Sequence, residues 1–148
     1  PNSSLVRSGA PMKESAFRLS VLSKLPASIH RQPMLAGMMG TAGTPDTYLD
    51  GPERDLWVEW KILPKEDHIP KRVPEKSMPT AIQRDWLDRR FARGGNALVI
   101  IGVKLCGRAH GVVLDTPQLW SSPPDRAWFE AHVRPAASIA LYLTQRTS

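Results

Sequence analysis

The stretch "GTPDTYLDGPERDLWVEWKIL", residues 43–63, decides how this chain is read. Its β-formers fall into two runs, 47–49 and 56–62. Between them lies "DGPERD", where Asp-Gly and Pro52 supply turn chemistry, so the stretch reads as a hairpin. Strand side chains alternate between faces. In the second run Leu56, Val58, Trp60 and Ile62 share one face, a core face, while Trp57, Glu59 and Lys61 share the other. Asp46 stands at the open end of the hairpin, where it can converge on Glu59. Charges on a packed strand cost free energy unless they are paired or hold a cation.

The rest of the chain sets the frame. Its 148 residues suffice for one domain with a real core and are few for two. We expect a polar arm over residues 1–11 and one domain over 12–148. A net charge of +6 and a pI near 9.9 favour an anionic partner, most often nucleic acid. The longest apolar run, 97–103, is strand-sized and far below the ~20 residues that span a bilayer. The opening "PNSSLVRSGAPMK" lacks the apolar stretch of a secretory signal, and a cytoplasmic location is the expectation. A single Cys106 excludes an internal disulfide and a cysteine zinc site.

Around the hairpin, residues 12–25 carry a helical stripe of Phe17, Val21, Leu22 and Leu25 that ends at Pro26, with Glu14 bordering its buried face. "ASIHRQPML" reads as a short strand and "AGMMGTAGT" as a Gly-rich connection. Residues 63–79 read as a long, basic, proline-interrupted loop, a kind that tends to be functional or mobile. "TAIQRDWLDRRFARGG" is the clearest helix: Thr80 can cap it, Ile82, Trp86, Leu87 and Phe91 form its stripe, and Gly94-Gly95 end it. "NALVIIGVK" and "HGVVLDT" are buried strands, "DRAWFEAHV" is a short helix or strand, and "AASIALYLTQR" is a closing helix. The order points to an α/β sandwich, a mixed central sheet flanked by helices.

Two carboxylates and a backbone carbonyl make a hard-oxygen site suited to Mg²⁺ or Mn²⁺, ions that also take phosphate oxygens. Beside such an ion, Lys61 can stabilise the charge of a pentavalent phosphorane or orient an attacking water. The plainer reading makes Glu59 and Lys61 a solvated edge-strand face and Asp46 a turn residue. The spacing favours chemistry: Pro-Asp, twelve intervening residues, then Glu-x-Lys within a strand.

"PD…EWK" resembles the PD-(D/E)xK nuclease superfamily. "AIQRDWLDRRFARGGNALVIIGV" looks like the segment that follows in its VRR-NUC branch, and "KESAFRLSVLSKL" fits the leading helix, so the resemblance spans residues 12–115. It implies a restriction-endonuclease-like fold and a metal-dependent endonuclease using one or two Mg²⁺ or Mn²⁺ ions per site. Asp46 and Glu59 would be principal ligands, the Trp60 carbonyl a third, and Lys61 the catalytic lysine. Glu14 would bind or order a second metal or its waters. Gln83 shares a helix face with Trp86 and Leu87; it is either a surface Gln or an amide with a partner near Lys61 or the attacking water. The family pattern often has a small residue soon after the lysine, where this chain has Ile62-Leu63-Pro64, so substrate preference can differ.

DNA is the partner this reading implies. Lys65, Lys71, Arg72 and Lys76 of the loop, Arg90 of the helix, and His30 and Arg31 are candidates to touch phosphates, and Trp57 to stack on a nucleotide. Small stand-alone relatives in phage and bacteria resemble enzymes that cut branched DNA. Resolving a four-way junction takes two cuts, hence a homodimer of a one-site chain. The alternatives are a monomeric nickase or single-strand or flap nuclease, a non-catalytic DNA-binding module, and an accessory subunit of a larger complex.

Overall fold

A computed structural model describes residues 12–33 and 43–148. The expected arm over 1–11 and most of the Gly-rich connection lie outside the described residues. Helix α1 (Glu14–Leu22) is followed by strands β1 (His30–Pro33), β2 (Thr47–Asp50) and β3 (Asp55–Ile62). Then come α2 (Ala81–Ala92), β4 (Ala97–Leu105), β5 (Arg108–Leu114), short helices α3 (Pro117–Trp120) and α4 (Arg126–His132), β6 (Arg134–Pro135) and α5 (Ala136–Arg146). The strands form one six-stranded sheet in chain order. β3 and β4 pair in parallel and every other neighbour is antiparallel, so the sheet is mixed, as expected. Parallel neighbours need a crossover, which residues 63–80 and α2 supply.

Both faces of the sheet are covered. Along β4, Leu98 and Ile100 join a core with Phe17, Trp60, Ile139 and Leu143, while Val99 and Ile101 join a second core with Leu87, Trp120 and Phe129. This is why 97–103 reads as an unbroken apolar run rather than an alternating one. Trp60 turns into the first core as alternation requires. It is fully buried, its indole N–H donates to the Thr47 hydroxyl at 3.0 Å, and Phe17 meets it edge-on.

Two seats position the elements that carry the site. The Phe17 ring lies over Gly102 and Gly111, which face each other across β4 and β5. A Cβ on Gly102 would lie 2.5 Å from that ring, so only glycine admits this approach, and it fixes α1 and Glu14 over the sheet. The β2–β3 turn is held by the end of α5, where the Thr147 carbonyl accepts the N–H groups of Glu53 and Arg54 at 3.2 and 3.3 Å.

Residues 63–79 are an ordered strap rather than a loop without structure. Leu63, Val73 and Met78 are buried, and Glu75–Ser77 form a 3₁₀ turn. Arg72 bridges to Asp125, and the Ser77 hydroxyl donates to the Ile62 carbonyl at 2.6 Å. The prolines break periodicity without preventing burial of the apolar residues between them. The stripe expected on α2 also needs correction. Leu87 alone is buried, whereas Ile82 is 59% and Phe91 37% exposed. Polar contacts hold this helix as much as packing does. Its Asp88 accepts the Trp120 indole N–H at 2.8 Å, and its Gln83 reaches β3.

Candidate active site

The register of the hairpin builds the site. Thr47 pairs with Val58, the last rung of the β2–β3 ladder toward Asp46. Two residues further along β3, the Trp60 N–H has no β2 backbone opposite it in that ladder, and the Asp46 carboxylate accepts it at 3.3 Å. A strand residue's N–H and C=O point to the same side, so the Trp60 carbonyl faces the Asp46 end of the hairpin as well. Glu59 is 2% exposed, and its Oε2 accepts from the Gln83 side-chain amide at 3.1 Å and lies 3.7 Å from Lys61 Nζ. Its Oε1 is buried and has no hydrogen-bond partner.

Charge repulsion and burial act together on these acids. The Glu59 carboxyl is pushed from 4.5 up to about 8, chiefly by burial and next by the Asp46 charge. Lys61 opposes this, while the Glu14 charge adds to it. Glu14, half-buried on α1, is also raised, first by burial and then by Asp46, against the pull of Lys61 and Arg18. Acids held this way gain from any cation placed among them.

Gln83 is tied at both ends. Its side-chain oxygen accepts the Thr80 N–H at 2.8 Å, closing a capping box with the Thr80 hydroxyl, while its amide nitrogen donates to Glu59. Its partner is therefore Glu59, whose Oε2 lies beside Lys61. The pattern Thr-x-x-Gln was readable in the sequence as a box; that the box touches the acid was not.

The structure thus brings Asp46, Glu59, Lys61 and Gln83 together, with Glu14 in electrostatic reach. Among the described residues, no three His, Cys, Asp or Glu side chains gather closely enough to hold a metal ion. The donor set that fits a hard cation is two carboxylates and the Trp60 carbonyl, and the orphaned Glu59 Oε1 is the observation that favours it.

The basic candidates are dispersed. Lys65, Lys71, Arg72 and Lys76 are exposed along the strap, and Arg72 also donates to the Pro123 carbonyl at 3.1 Å. His30 is exposed at the start of β1, and Arg31 donates to the Leu22 carbonyl, bracing α1 to β1. Arg90 lies over the rings of Trp57 and Trp86. Trp57 is not placed to stack on a nucleotide. It is 9% exposed, packed against Tyr48 and Trp86 with ring centroids 4.7 and 5.2 Å away.

No described helix is long and apolar enough to cross a membrane. No protein-family model matches the chain, and no curated protein matches it in sequence. Among solved structures it is similar to Hjc, a Holliday junction resolvase from the archaeal hyperthermophile Archaeoglobus fulgidus, with 14% identity and a TM-score of 0.51. The likeness covers 87% of this chain and 96% of that one. The restriction-endonuclease-like α/β fold expected from the PD-(D/E)xK resemblance is therefore the fold of this chain.

Proposed function

We propose that this protein is a divalent-metal-dependent DNA endonuclease, selective for branched DNA such as four-way junctions and acting as a homodimer in the cytoplasm. One observation carries the reading. Asp46, Glu59 and Lys61 meet at the end of a hairpin, with one buried carboxylate oxygen left unpartnered. Support for the substrate class comes from the fold shared with Hjc, a junction resolvase.

Asp46, Glu59 and the Trp60 carbonyl would hold Mg²⁺ or Mn²⁺, and Glu14 would order water around it or help hold a second ion. The ion's contribution, when bound, is Lewis-acid stabilisation of phosphate charge and a lower pKa for water. Lys61, 14% exposed at its side chain, presents its ammonium to the same spot and neutralises charge developing on the phosphate. Gln83 positions Glu59. The exposed lysines of the strap and the pI near 9.9 suit a polyanionic substrate contacted mainly through phosphates. The VRR-NUC branch is the part of the superfamily its Gln-bearing helix resembles.

The test is cleavage of matched linear, single-stranded, flap and four-way-junction DNAs with Mg²⁺ or Mn²⁺, beside Glu59→Ala and Lys61→Ala. Paired symmetric cuts at the junction, lost in both variants, are the expected result. No cleavage of any substrate, or undiminished cleavage by Glu59→Ala, overturns the proposal.

A further inference from the structure

Helix α2 runs antiparallel to β3 across the site face of that strand. Gln83 sits on Glu59, Trp86 on Trp57, and Arg90 on Trp57 and Asp55. Positions 83, 86, 90 and 93 fall on one side of the helix, so the side that reaches the acid continues into a basic and aromatic end. There Trp86, Arg89, Arg90 and Arg93 line a hollow of about 70 Å³.

Three features set this hollow apart from a solvated helix end. The Arg90 guanidinium carbon lies 5.6 and 5.9 Å from the ring centroids of Trp57 and Trp86, within cation–π reach of both. Its counter-ion Asp55 stands 3.8 Å off, and its Nε is buried with no hydrogen-bond partner. Arg89 is engaged by Asp85 at 3.1 Å, which leaves Arg90 and exposed Arg93 facing the hollow. The dipole of α2 accounts for roughly half a negative charge at this end, less than these guanidiniums supply.

We propose that Arg90 and Arg93 grip a backbone phosphate of the DNA, at a subsite separate from the scissile one. Arg90 is the pre-positioned half of the grip and Arg93 the half that closes from solvent. Asp55 to Glu59 is about 13 Å along a strand, and Gln83 to Arg90 about 10 Å along a helix. With a rise of ~3.4 Å per nucleotide along a duplex axis as the lower limit of phosphate spacing, the gripped phosphate lies within about four nucleotides of the cut. The subsite would orient a strand running along α2. This inference rests on the endonuclease reading.

The experiment places single neutral methylphosphonates at successive positions of a cleavable DNA and measures KM and salt dependence for wild type and Arg93→Gln. In wild type, one position within about four nucleotides of the cut should raise KM by roughly 3- to 10-fold. Arg93→Gln should raise KM similarly on unmodified DNA, lower the salt slope by about one, and respond no further to that methylphosphonate. Arg90→Lys keeps the charge but loses the planar guanidinium between the two rings and should give an intermediate effect. If wild type cuts and Arg93→Gln matches it in KM and salt slope, the subsite is wrong and the endonuclease reading stands. Penalties that simply multiply for variant and methylphosphonate also overturn the subsite. If wild type neither binds nor cuts DNA, both readings fall together.

Discussion

Replacing Glu59 by Gln should make the metal-free protein more stable while abolishing cleavage. The reason lies in where the proton sits. In the unfolded chain the Glu59 carboxyl titrates near 4.5; in the fold burial first, then the Asp46 charge, lift it to about 8. A carboxyl raised on folding keeps its full stability below the unfolded value and loses it as pH climbs through the folded one. Relative to a side chain that cannot ionise, Glu59 thus costs about 1.4 kcal/mol for each pH unit between those limits. The cost reaches about 3 kcal/mol at pH 7 and approaches about 5 above pH 9.

Gln mimics the neutral acid closely here. The Gln83 amide can still donate to the variant's one side-chain oxygen, and the new NH₂ is a donor close to the Asp46 carboxylate. Lys61 gains nothing from a Glu59 that is already protonated at pH 7. In chelator, Glu59→Gln should therefore raise Tm at pH 7 by roughly 6–12 °C, and the gap should close near pH 4.5. Mg²⁺ should reverse the order, raising Tm of wild type and not of the variant, because ligating the ion requires the ionised carboxylate. Calorimetry at pH 4.5, 7 and 9 with and without Mg²⁺ reads all of this. Equal stabilities at pH 9 in chelator, or a gap that does not change with pH, would refute the reasoning.

Gly102→Ala should push the Phe17 ring off its seat, costing about 1–3 kcal/mol in denaturant unfolding and lowering cleavage as Glu14 moves with α1. Thr80→Ala removes one half of the capping box, so about 1 kcal/mol should be lost, with a fall in kcat beyond what that destabilisation explains. Tyr142→Phe strips the hydroxyl that donates to Asp115 and accepts from Arg146, both at 2.6 Å. It should cost about 1–2 kcal/mol and leave cleavage unchanged at a temperature where both proteins are folded, a control for stability loss away from the site.

How legible the site was depended on how local its causes are. Glu59, Lys61 and the inward turn of Trp60 follow from alternation within one strand, and Asp46 from a tight hairpin, so seven to twenty residues of sequence contain the whole argument. The fate of Trp57 does not. The same alternation that puts it beside Glu59 says nothing of α2, whose antiparallel path lays Trp86 and Arg90 across it. The seat of Phe17 needs two glycines from neighbouring strands, 102 and 111, to coincide in register, and neither signals the other in sequence. Residues 63–79 hid their order because four prolines erase any period, while Val73 and Met78, the residues that pin the strap, look like isolated apolar residues.

Gln83 shows how a local rule and a distant one select a single residue. A capping box accepts Glu or Gln at the third helical position, and either would satisfy the Thr80 N–H. Once that N–H has taken the side-chain oxygen, the amide's remaining face is necessarily its NH₂, and that face meets Glu59. Glu at 83 would cap equally well and turn a second carboxylate oxygen toward an acid already raised by burial, then by Asp46 and Glu14. Gln83→Glu should therefore keep α2 intact by circular dichroism, yet weaken cleavage more than Thr80→Ala does and make stability fall faster with rising pH. If Gln83→Glu cuts as well as wild type, the amide is only a cap, and Glu59 owes its position to the strand alone.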